Sequence, residues 1–541
     1  MDENRKEDMN ERARAENDTF DYARDHMPSI KEPGLLLAVL GLSVVGAIIG
    51  LQLIVTLGIS AHTAILGALV AIVFSRIPLT AMRRFRSIER QNLIQTAVSS
   101  ATFGAANSLM IPIGVPFAMG MSELIIPMLI GAMFAMFIDA SLLYGMFGSR
   151  TFPAYGTWPA GIATAEAIQA GDQGGKKAAF LGVGIGTGLL GASLGVPMSA
   201  FGVAFIGNVW ALSMFGIGLL VSGYSMPLFN ININEIYLPH GFMIGAGLVA
   251  LGQVIMQIRR RDKAAEEEYK PEEHPIGRWL AGGFILYLGV AVFLTIVAGL
   301  TTDMGTGMLL LFVVYAAFAA FVHEIIVGIA AMHSGWFPAF AVALITLIGG
   351  MLLGFPPVAL GILAGYSAAT GPAFADMGYD LKTGWILRGK GSNPSVERYG
   401  RRQQYIVAML AFVVAAATVA LTHKHFFAQN LFPPVDKVYA TTIQAGISSE
   451  IGWELAKWVI PGALLQFIGG SKRQLGVLLS TGLLLKFPAA GWAVLAGIAL
   501  RLIIRKLTNG EKEAEVSAMA GGFIASDALY HFFTGVVVGK K

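Results

Sequence analysis

The chain has 541 residues, of which 55% are hydrophobic and 13% are charged, and its formal net charge is +4. A soluble globular domain carries roughly 25% charged residues, so this composition excludes a soluble globular protein. Cysteine is absent, which excludes disulfides, thiolate metal sites and thiol catalysis.

The first 34 residues are polar and charged, and we interpret them as a cytoplasmic tail. The apolar stretches that follow are each long enough to cross a bilayer core of about 30 Å. Their continuity excludes a β-barrel, whose strands alternate. The sequence therefore predicts an all-α polytopic membrane protein of about sixteen transmembrane helices with broken or re-entrant segments. The predicted spans are 35–58, 61–79, 93–115, 119–146, 178–196, 200–221, 236–258, 279–300, 306–331, 337–354, 356–377, 406–421, 451–468, 475–485, 492–504 and 516–538.

Three loops, 83–90, 259–278 and 382–402, are rich in lysine and arginine. Short loops of this kind mark the cytoplasmic side of a membrane protein, so we expect all three to lie inside with the tail. The second loop divides the chain into a first transmembrane half, 35–258, and a second half, 279–541.

Five predicted spans separate the first basic loop from the second, and an odd number cannot return the chain to the same side. One crossing must therefore be hidden. The stretch 150–172, RTFPAYGTWPAGIATAEAIQAGD, is the first candidate because it holds two prolines and one carboxylate within small residues. Irregular backbone at membrane depth needs shielding by protein or a water-filled cavity. We expect a broken helix lining a path here; segment 224–235, or a re-entrant or divided span such as 119–146, is the alternative.

Two pairs of segments indicate internal repeats. LPHGFMIGAG at 238–247 is similar to FPAAGWAVLAG at 487–497, and an Arg-Gln pair opens a span at residues 90 and 402. Transporters are often built from repeats, with the substrate site near the membrane midplane where broken segments meet.

Ionisable residues inside membrane spans are unfavourable and indicate function. We interpret Asp139 as a structural hydrogen-bonding residue, Glu324 as a proton carrier or a paired structural residue, and Glu166, beside Thr164, as a cavity-lining residue. His323 precedes Glu324, so on a helix the two side chains point about 100° apart. The full set of ionisable candidates is Glu123, Asp139, Glu166, Glu235, His323, Glu324, Asp376 and Asp527.

Asparagine alternates with isoleucine in the segment FNININEIYLP, residues 229–239. In an extended segment this alternation places the amides of Asn230, Asn232 and Asn234 on one side. Amides followed by Glu235 and Tyr237 suit hydrogen bonding to a peptide-like or chelate group. A structured extracellular loop is the alternative interpretation.

No spacing of ligands indicates a zinc or two-metal site, and no phosphate-binding loop, GxSxG or HExxH motif occurs. We therefore expect no enzyme activity, no cofactor, no metal and no nucleic-acid partner. A membrane-embedded lipid enzyme is disfavoured because the carboxylates are scattered singly over different spans. A passive channel is a further alternative.

Three stretches together resemble the oligopeptide transporter (OPT) family, which includes the yellow-stripe-like metal-chelate transporters. ERQNLIQT at 89–96, with Gln95, is similar to the family element E-x-N-x-x-Q-T. FPAYGTWPAGIATAE at 152–166, with Pro153, is similar to FPxGxAxAEx but carries the insertion AYGTWPAG. DMGYDLKTG at 376–384, with Asp376, Asp380 and Lys382, is similar to the family's DLKTG element.

The resemblance implies a secondary transporter of about sixteen helices, with a dimerising scaffold part and a mobile transport part. The family moves oligopeptides, glutathione-like peptides or metal–amino-acid chelates, usually with protons, and the short loops fit a prokaryotic member. We therefore expect a proton-coupled importer in the cell membrane, as a homodimer, with a cytoplasmic N-terminus. An importer of metal chelates with the same fold is the alternative.

The predicted site residues form three groups. The substrate-binding group is Thr164, Glu166, Asn232, Asn234, Glu235 and Tyr237. The proton-coupling group is Glu166 and Glu324, with Glu235 as the next candidate. The structural group is Gln95, Pro153, Asp376, Asp380 and Lys382, and we expect Asp380, Lys382 and Thr383 to organise a turn on the cytoplasmic side.

Overall fold

The computed structural model of the chain describes residues 27–58, 63–76, 80–172, 176–258, 276–334, 339–447 and 449–534. Most of the predicted tail and residues 259–275 of the second basic loop lie outside these ranges. The described residues form helices and connecting turns without a β-strand; their one β-bridge joins Phe147 to Phe152.

The helices carry the labels α1 to α22 in chain order. They are α1 (Pro33–Leu57), α2 (Thr63–Arg76), α3 (Ile88–Phe103), α4 (Ile111–Ala118), α5 (Ile125–Met146), α6 (Pro159–Asp172), α7 (Lys176–Ser193), α8 (Met198–Ile206), α9 (Val209–Phe229), α10 (Leu238–Ile258), α11 (Ile276–Val297), α12 (Leu300–Asp303), α13 (Thr306–Ser334), α14 (Ala339–Leu352), α15 (Pro357–Ala369), α16 (Pro372–Leu387), α17 (Pro394–Ala428), α18 (Pro434–Ile447), α19 (Ser449–Arg473), α20 (Leu475–Leu483), α21 (Pro488–Leu507) and α22 (Glu513–Phe532). Short 3₁₀ helices occupy Thr80–Arg86 and Ser122–Leu124, and a π-helix, Gly104–Met110, joins α3 to α4.

Nine helical segments in the described ranges have at least 18 residues and are apolar enough to cross a membrane, by length and composition. They confirm the all-α polytopic class. Two of them, Ile88–Ala118 and Pro357–Leu387, each join two of the labelled helices. Three shorter apolar helices lie among the same residues. The number sixteen stays a prediction.

The structure divides the predicted span 200–221 into two helices, α8 and α9. Asn208 lies between the two helices and caps α9: its side chain accepts hydrogen bonds from the N–H groups of Trp210 and Ala211. Arg501 of α21 donates to the Gly207 carbonyl at this junction, over 2.6 Å. At the other end of α21, Pro488 packs on Gly223 of α9. Helix α8 has 9 residues, fewer than the roughly 20 that cross a bilayer core, so the hidden crossing between the first two basic loops stays a prediction.

The stretch 150–172 is irregular up to Trp158, and α6 begins at Pro159. Trp158 is fully buried with a φ of 35°, its N–H donates to the Met332 carbonyl over 2.8 Å, and its ring lies against Gly378 of α16. The predicted interruption is therefore present. The insertion AYGTWPAG serves to place this tryptophan in the core.

A second interruption separates α15 from α16, within the predicted span 356–377. Gly371 has a φ of 91°, and a side chain there would meet Val327 of α13, so this break requires glycine. Helix α16 starts at the break and is buried along most of its length, with Asp376 to Gly384 all buried. Helices α3, α5, α6, α13 and α17 pack against α16.

The start of α1 lies beside the first and third basic loops. Glu32 pairs with Arg90 over 2.9 Å, and the Ile30 N–H donates to Gln403 over 3.0 Å. The far end of α1 therefore reaches the opposite face of the molecule, which we call the outer face.

The segment 230–237 is a series of turns, so the expected extended arrangement is wrong. Asn230 has a φ of 54° and Tyr237 a φ of 52°, and the N–H groups of Glu235 and Tyr237 bond to carbonyls three residues earlier. These positive φ values break the two-residue alternation on which the extended arrangement depended.

Candidate functional site

Two carboxyl groups of α16, Asp376 and Asp380, lie four residues apart and face α3 together. Ser99 donates to Asp376 over 2.7 Å, and Gln95 and Ser100 donate to Asp380 over 2.6 and 3.2 Å. Both carboxyl groups are fully buried. We call Asp376 and Asp380 the acidic pair; one Asp376 oxygen has no hydrogen-bond partner among the described residues.

Helix α17 closes the acidic pair from a third side. The Gln404 side-chain amide donates to the Asp380 backbone carbonyl over 2.7 Å and to Thr96 over 3.1 Å. The elements at 89–96 and 376–384, which are far apart in sequence, thus meet in one buried network. The structure thus brings together Gln95, Asp376 and Asp380, three of the residues predicted to be structural.

The third element, around Pro153, meets α16 one turn further along. Lys382 donates to the Ala154 carbonyl over 2.8 Å, and Thr383 donates to the Gly161 carbonyl over 3.1 Å. The prediction that Asp380, Lys382 and Thr383 organise a turn is wrong: they lie inside the helix α16. Their side chains fix the irregular stretch before α6 onto that helix.

A second buried polar group surrounds the α15–α16 break. Asp139 of α5 accepts hydrogen bonds of 2.6 Å from the Tyr287 hydroxyl and of 2.6 Å from the Gly371 N–H at the start of α16. The Tyr366 hydroxyl donates to the Tyr287 carbonyl over 2.8 Å. A helix N-terminus carries unpaired N–H groups and partial positive charge, so it favours a carboxylate at this position. The structural hydrogen bonds expected for Asp139 are present.

Glu324 of α13 completes this group, which we call the break cluster (Asp139, Tyr287, Glu324, Tyr366 and Gly371). Its side chain is fully buried, and neither oxygen has a hydrogen-bond partner among the described residues. It is close enough to Asp139 for their charges to interact. The neighbouring His323 also lies at the break: its Nε2 is 2.8 Å from the Ala339 carbonyl, and its Nδ1 is 3.4 Å from the Thr370 hydroxyl.

The acidic pair and the break cluster together place four buried carboxyl groups near one broken helix. Within the described ranges, no salt bridge joins any of them to a cation. An ion without a partner in a low-dielectric interior is strongly destabilised. Binding or releasing a proton is therefore the chemistry that this arrangement can perform.

Glu166 lies away from these groups. Residues 161, 164, 165 and 168 form the buried face of α6, and Glu166 is exposed on the opposite face, so the expectation of a buried carboxyl group fails at this residue. Thr164 is buried and donates to the Ala160 carbonyl over 2.8 Å. Pro153 is also buried and its carbonyl accepts a hydrogen bond from the Trp158 indole over 3.3 Å.

A cavity of about 750 Å³ opens at the outer face. Asn232 and Asn234 line it, together with the outer end of α1, the start of α10, the residues that precede and form α18, and the turn before α21. The Asn232 amide donates to Glu235 over 2.7 Å, and Glu235 is exposed. Tyr237 is half-buried and packs edge-on against His240, which does line the cavity.

Sequence reasoning did not identify several polar residues at these sites. Tyr287 lies in a predicted span but is not charged, and the lysines that line the cavity, Lys437 and Lys486, lie outside the predicted spans. Asp436 is fully buried against Gly114 of α4, and neither of its oxygens has a partner in the described part of the chain. The sequence signal for this last residue is a carboxylate directly after the apolar run FPPV.

The remaining ionisable candidates lie elsewhere. Glu123 is exposed in the 3₁₀ helix before α5. Asp527 is buried in α22, where it accepts a hydrogen bond of 3.0 Å from the Ser199 N–H of α8.

A family model described as OPT oligopeptide transporter protein matches residues 35–255 and 256–538. A search among curated proteins gave no match.

Proposed function

The chain belongs to the oligopeptide transporter family, and from this premise we propose that it is a proton-coupled importer of small peptides in the cytoplasmic membrane. Members of the family are transporters rather than enzymes. The observation that carries the proton coupling is the set of four buried carboxyl groups near the α15–α16 break, of which Glu324 and Asp376 have oxygens without a partner among the described residues.

In this proposal, Glu324 and Asp139 share the transported proton. Asp139 holds the Gly371 N–H at the start of α16 and the Tyr287 hydroxyl of α11, so three helices are linked through one carboxyl group. A proton on this carboxyl group weakens its role as an acceptor for both donors. The proton therefore biases the position of α16 relative to α5 and α11, which is a differential interaction of the kind that shifts a two-state equilibrium.

The acidic pair has a separate role in the proposal. Asp376 and Asp380 hold α16 to α3, while Lys382 and Thr383 hold it to the stretch before α6. We assign these residues, with Gln95 and Pro153, to the structure of the transport part. Asn232, Asn234, Glu235 and Tyr237 remain proposed substrate contacts at the outer cavity. Thr164 remains a proposed substrate contact on α6, and the exposed Glu166 has no part in the proposed proton step.

The arrangement of basic residues supports a cytoplasmic N-terminus, because Glu32 pairs with Arg90 of the first basic loop and Ile30 contacts Gln403, which directly follows the third. A homodimer embedded in the bilayer is proposed from the family. A carboxylate-rich metal chelate is the second candidate substrate, since the amides and lysines of the outer cavity suit its oxygen atoms as well as those of a peptide.

The test is uptake of labelled di- to tetrapeptides into proteoliposomes with an imposed pH gradient, acidic outside. We expect uptake that a protonophore abolishes. Uptake that is equally fast without a gradient would exclude proton coupling, and saturable competition by ferric or nickel chelates alone would assign the chelate as substrate. Flux that does not saturate with substrate would indicate a channel.

A further inference from the structure

The outer cavity carries a fixed positive charge. Lys437 of α18 and Lys486, in the turn before α21, both line it, and no aspartate or glutamate is among the described residues that line it. Its volume of about 750 Å³ falls within the range of small-ligand sites, about 300–1,000 Å³. The cavity is therefore large enough for a small ligand and lacks an internal counter-ion for the two ammonium groups.

Lys437 is exposed to the cavity and contacts an aromatic ring. Its ammonium lies 5.0 Å from the centre of the Phe432 ring. Burial of part of the side chain, with the charge of Lys486 as a second cause, lowers the pKa of Lys437. The two lysines thus repel each other across the cavity, and an anion between them would relieve that repulsion.

The nearest acids do not neutralise this charge. Asp436 adjoins Lys437 in sequence but is buried against Gly114, and neighbouring residues of a helix point about 100° apart. Glu235 is exposed and bonded to Asn232. Neither residue lines the cavity.

Hydrogen-bonding groups without partners surround the lysines. The side-chain amides of Asn234, Asn430 and Gln444 line the cavity and form none of the side-chain hydrogen bonds found in the described residues. His240 also lines it; the residue is 6% exposed and its Nδ1 has no partner there. A buried polar atom without a partner is unfavourable, so a polar ligand at this position satisfies a group that the chain leaves unsatisfied.

We propose that Lys437 and Lys486 bind the carboxylate of the transported substrate at the outer end of its path, with the surrounding amides and His240 binding its adjacent polar groups. This inference rests on the proposed function and adds the class of substrate, a carboxylate-bearing one. The carboxylate belongs either to the C-terminus of a peptide or to a metal chelate, and the experiment separates these sources.

The experiment is a titration of the purified full-length protein, by thermal shift, with trialanine, trialanine amide and ferric citrate. We expect trialanine to bind about tenfold or more tightly than its amide, which is the scale of a hydrogen bond to a charged group. The double variant Lys437→Gln, Lys486→Gln should lose this discrimination, and Lys437→Arg should keep it. Lys424→Gln, which removes an exposed lysine of α17 that does not line the cavity, is the matched control and should bind as the wild type does.

The outcomes distinguish this inference from the proposed function. Equal binding of trialanine and its amide by the wild type, with uptake of both into proteoliposomes, would overturn the inference and leave peptide transport standing. Binding of ferric citrate alone, lost in the double variant, would support the inference with a chelate as the carboxylate source. If no probe binds or is taken up, both proposals fail. Because the wild type alone shows the discrimination, the test does not depend on the folding of the double variant.

Discussion

The break cluster and the outer cavity differ in both charge and access to solvent. In the break cluster, Asp139 and Glu324 are fully buried and no cation is paired with them in the described part of the chain. In the outer cavity, Lys437 and Lys486 are exposed and no carboxylate is among the described lining residues. One region suits a proton, and the other suits a polar anion.

This difference indicates a division of tasks. A carboxyl group sealed among helices changes its hydrogen bonds when it gains a proton, whereas an open cationic cavity exchanges ligands with the outer solution. The broken helix α16 begins in the break cluster, so a proton bound there acts on the part of the protein that contains all three family elements. In the proposed function, substrate and proton are therefore coupled through helix positions rather than through direct contact.

The largest expected effect comes from removing the proton site. Glu324→Gln keeps the shape of the side chain but cannot ionise, so we expect gradient-driven uptake to fall by about 100-fold while substrate exchange without a gradient persists. Counterflow and gradient-driven uptake in the same proteoliposomes measure the two rates. The exposed Glu123→Gln is the control, and it should leave both rates unchanged. Full coupling in Glu324→Gln would contradict the division of tasks.

The next effect concerns the link between Asp139 and the helices around it. Tyr287→Phe removes one of the two hydrogen bonds to Asp139, and we expect a loss of about 1.5 kcal/mol in the free energy of unfolding. Combined with Asp139→Asn, it should show a coupling energy in a double-mutant cycle. Tyr224→Phe, at an exposed hydroxyl that accepts a hydrogen bond from Trp492, is the matched control. Additive losses would mean that the two residues act separately.

A smaller effect is expected at the acidic pair. Gln95→Leu leaves one oxygen of Asp380 without its donor, although Ser100 still bonds the other, so stability should fall by about 1 kcal/mol. Uptake should remain coupled to the gradient, since this pair fixes α16 to α3. Gln169→Leu on the exposed face of α6 controls for the substitution itself. Loss of coupling between uptake and the gradient in Gln95→Leu would mean that the acidic pair belongs to the proton pathway.

The smallest effect is expected at Glu166. Because its side chain is exposed, Glu166→Gln should change gradient-driven uptake by less than about twofold. The same proteoliposome assay measures it. Loss of coupling between uptake and the gradient in this variant would mean that Glu166 takes part in proton transfer, and that a rearrangement buries its side chain.

The sequence predicts the parts of this account that depend on local pattern. Continuous apolar runs establish the class of fold, and two prolines indicate the irregular stretch before α6. The family elements identify Gln95, Asp376 and Asp380, although only the structure shows that they touch.

The parts that sequence reasoning missed depend on contacts between distant segments. Asp139 meets Tyr287 across 148 positions and Gly371 across 232, and neither partner carries a charge that marks it. The division between α8 and α9 carries a weak sequence signal, because only Gly207 and Asn208 interrupt an otherwise continuous apolar run. Lys437 and Lys486 lie outside the predicted spans, where a charged residue does not by itself indicate function.

The most direct test of the central claim is the internal pH of proteoliposomes, followed with a trapped pH-sensitive dye as peptide is added outside without any imposed gradient. The account predicts acidification that begins with peptide addition in the wild type and is absent in Glu324→Gln. Peptide uptake by the wild type with no change in internal pH would contradict it.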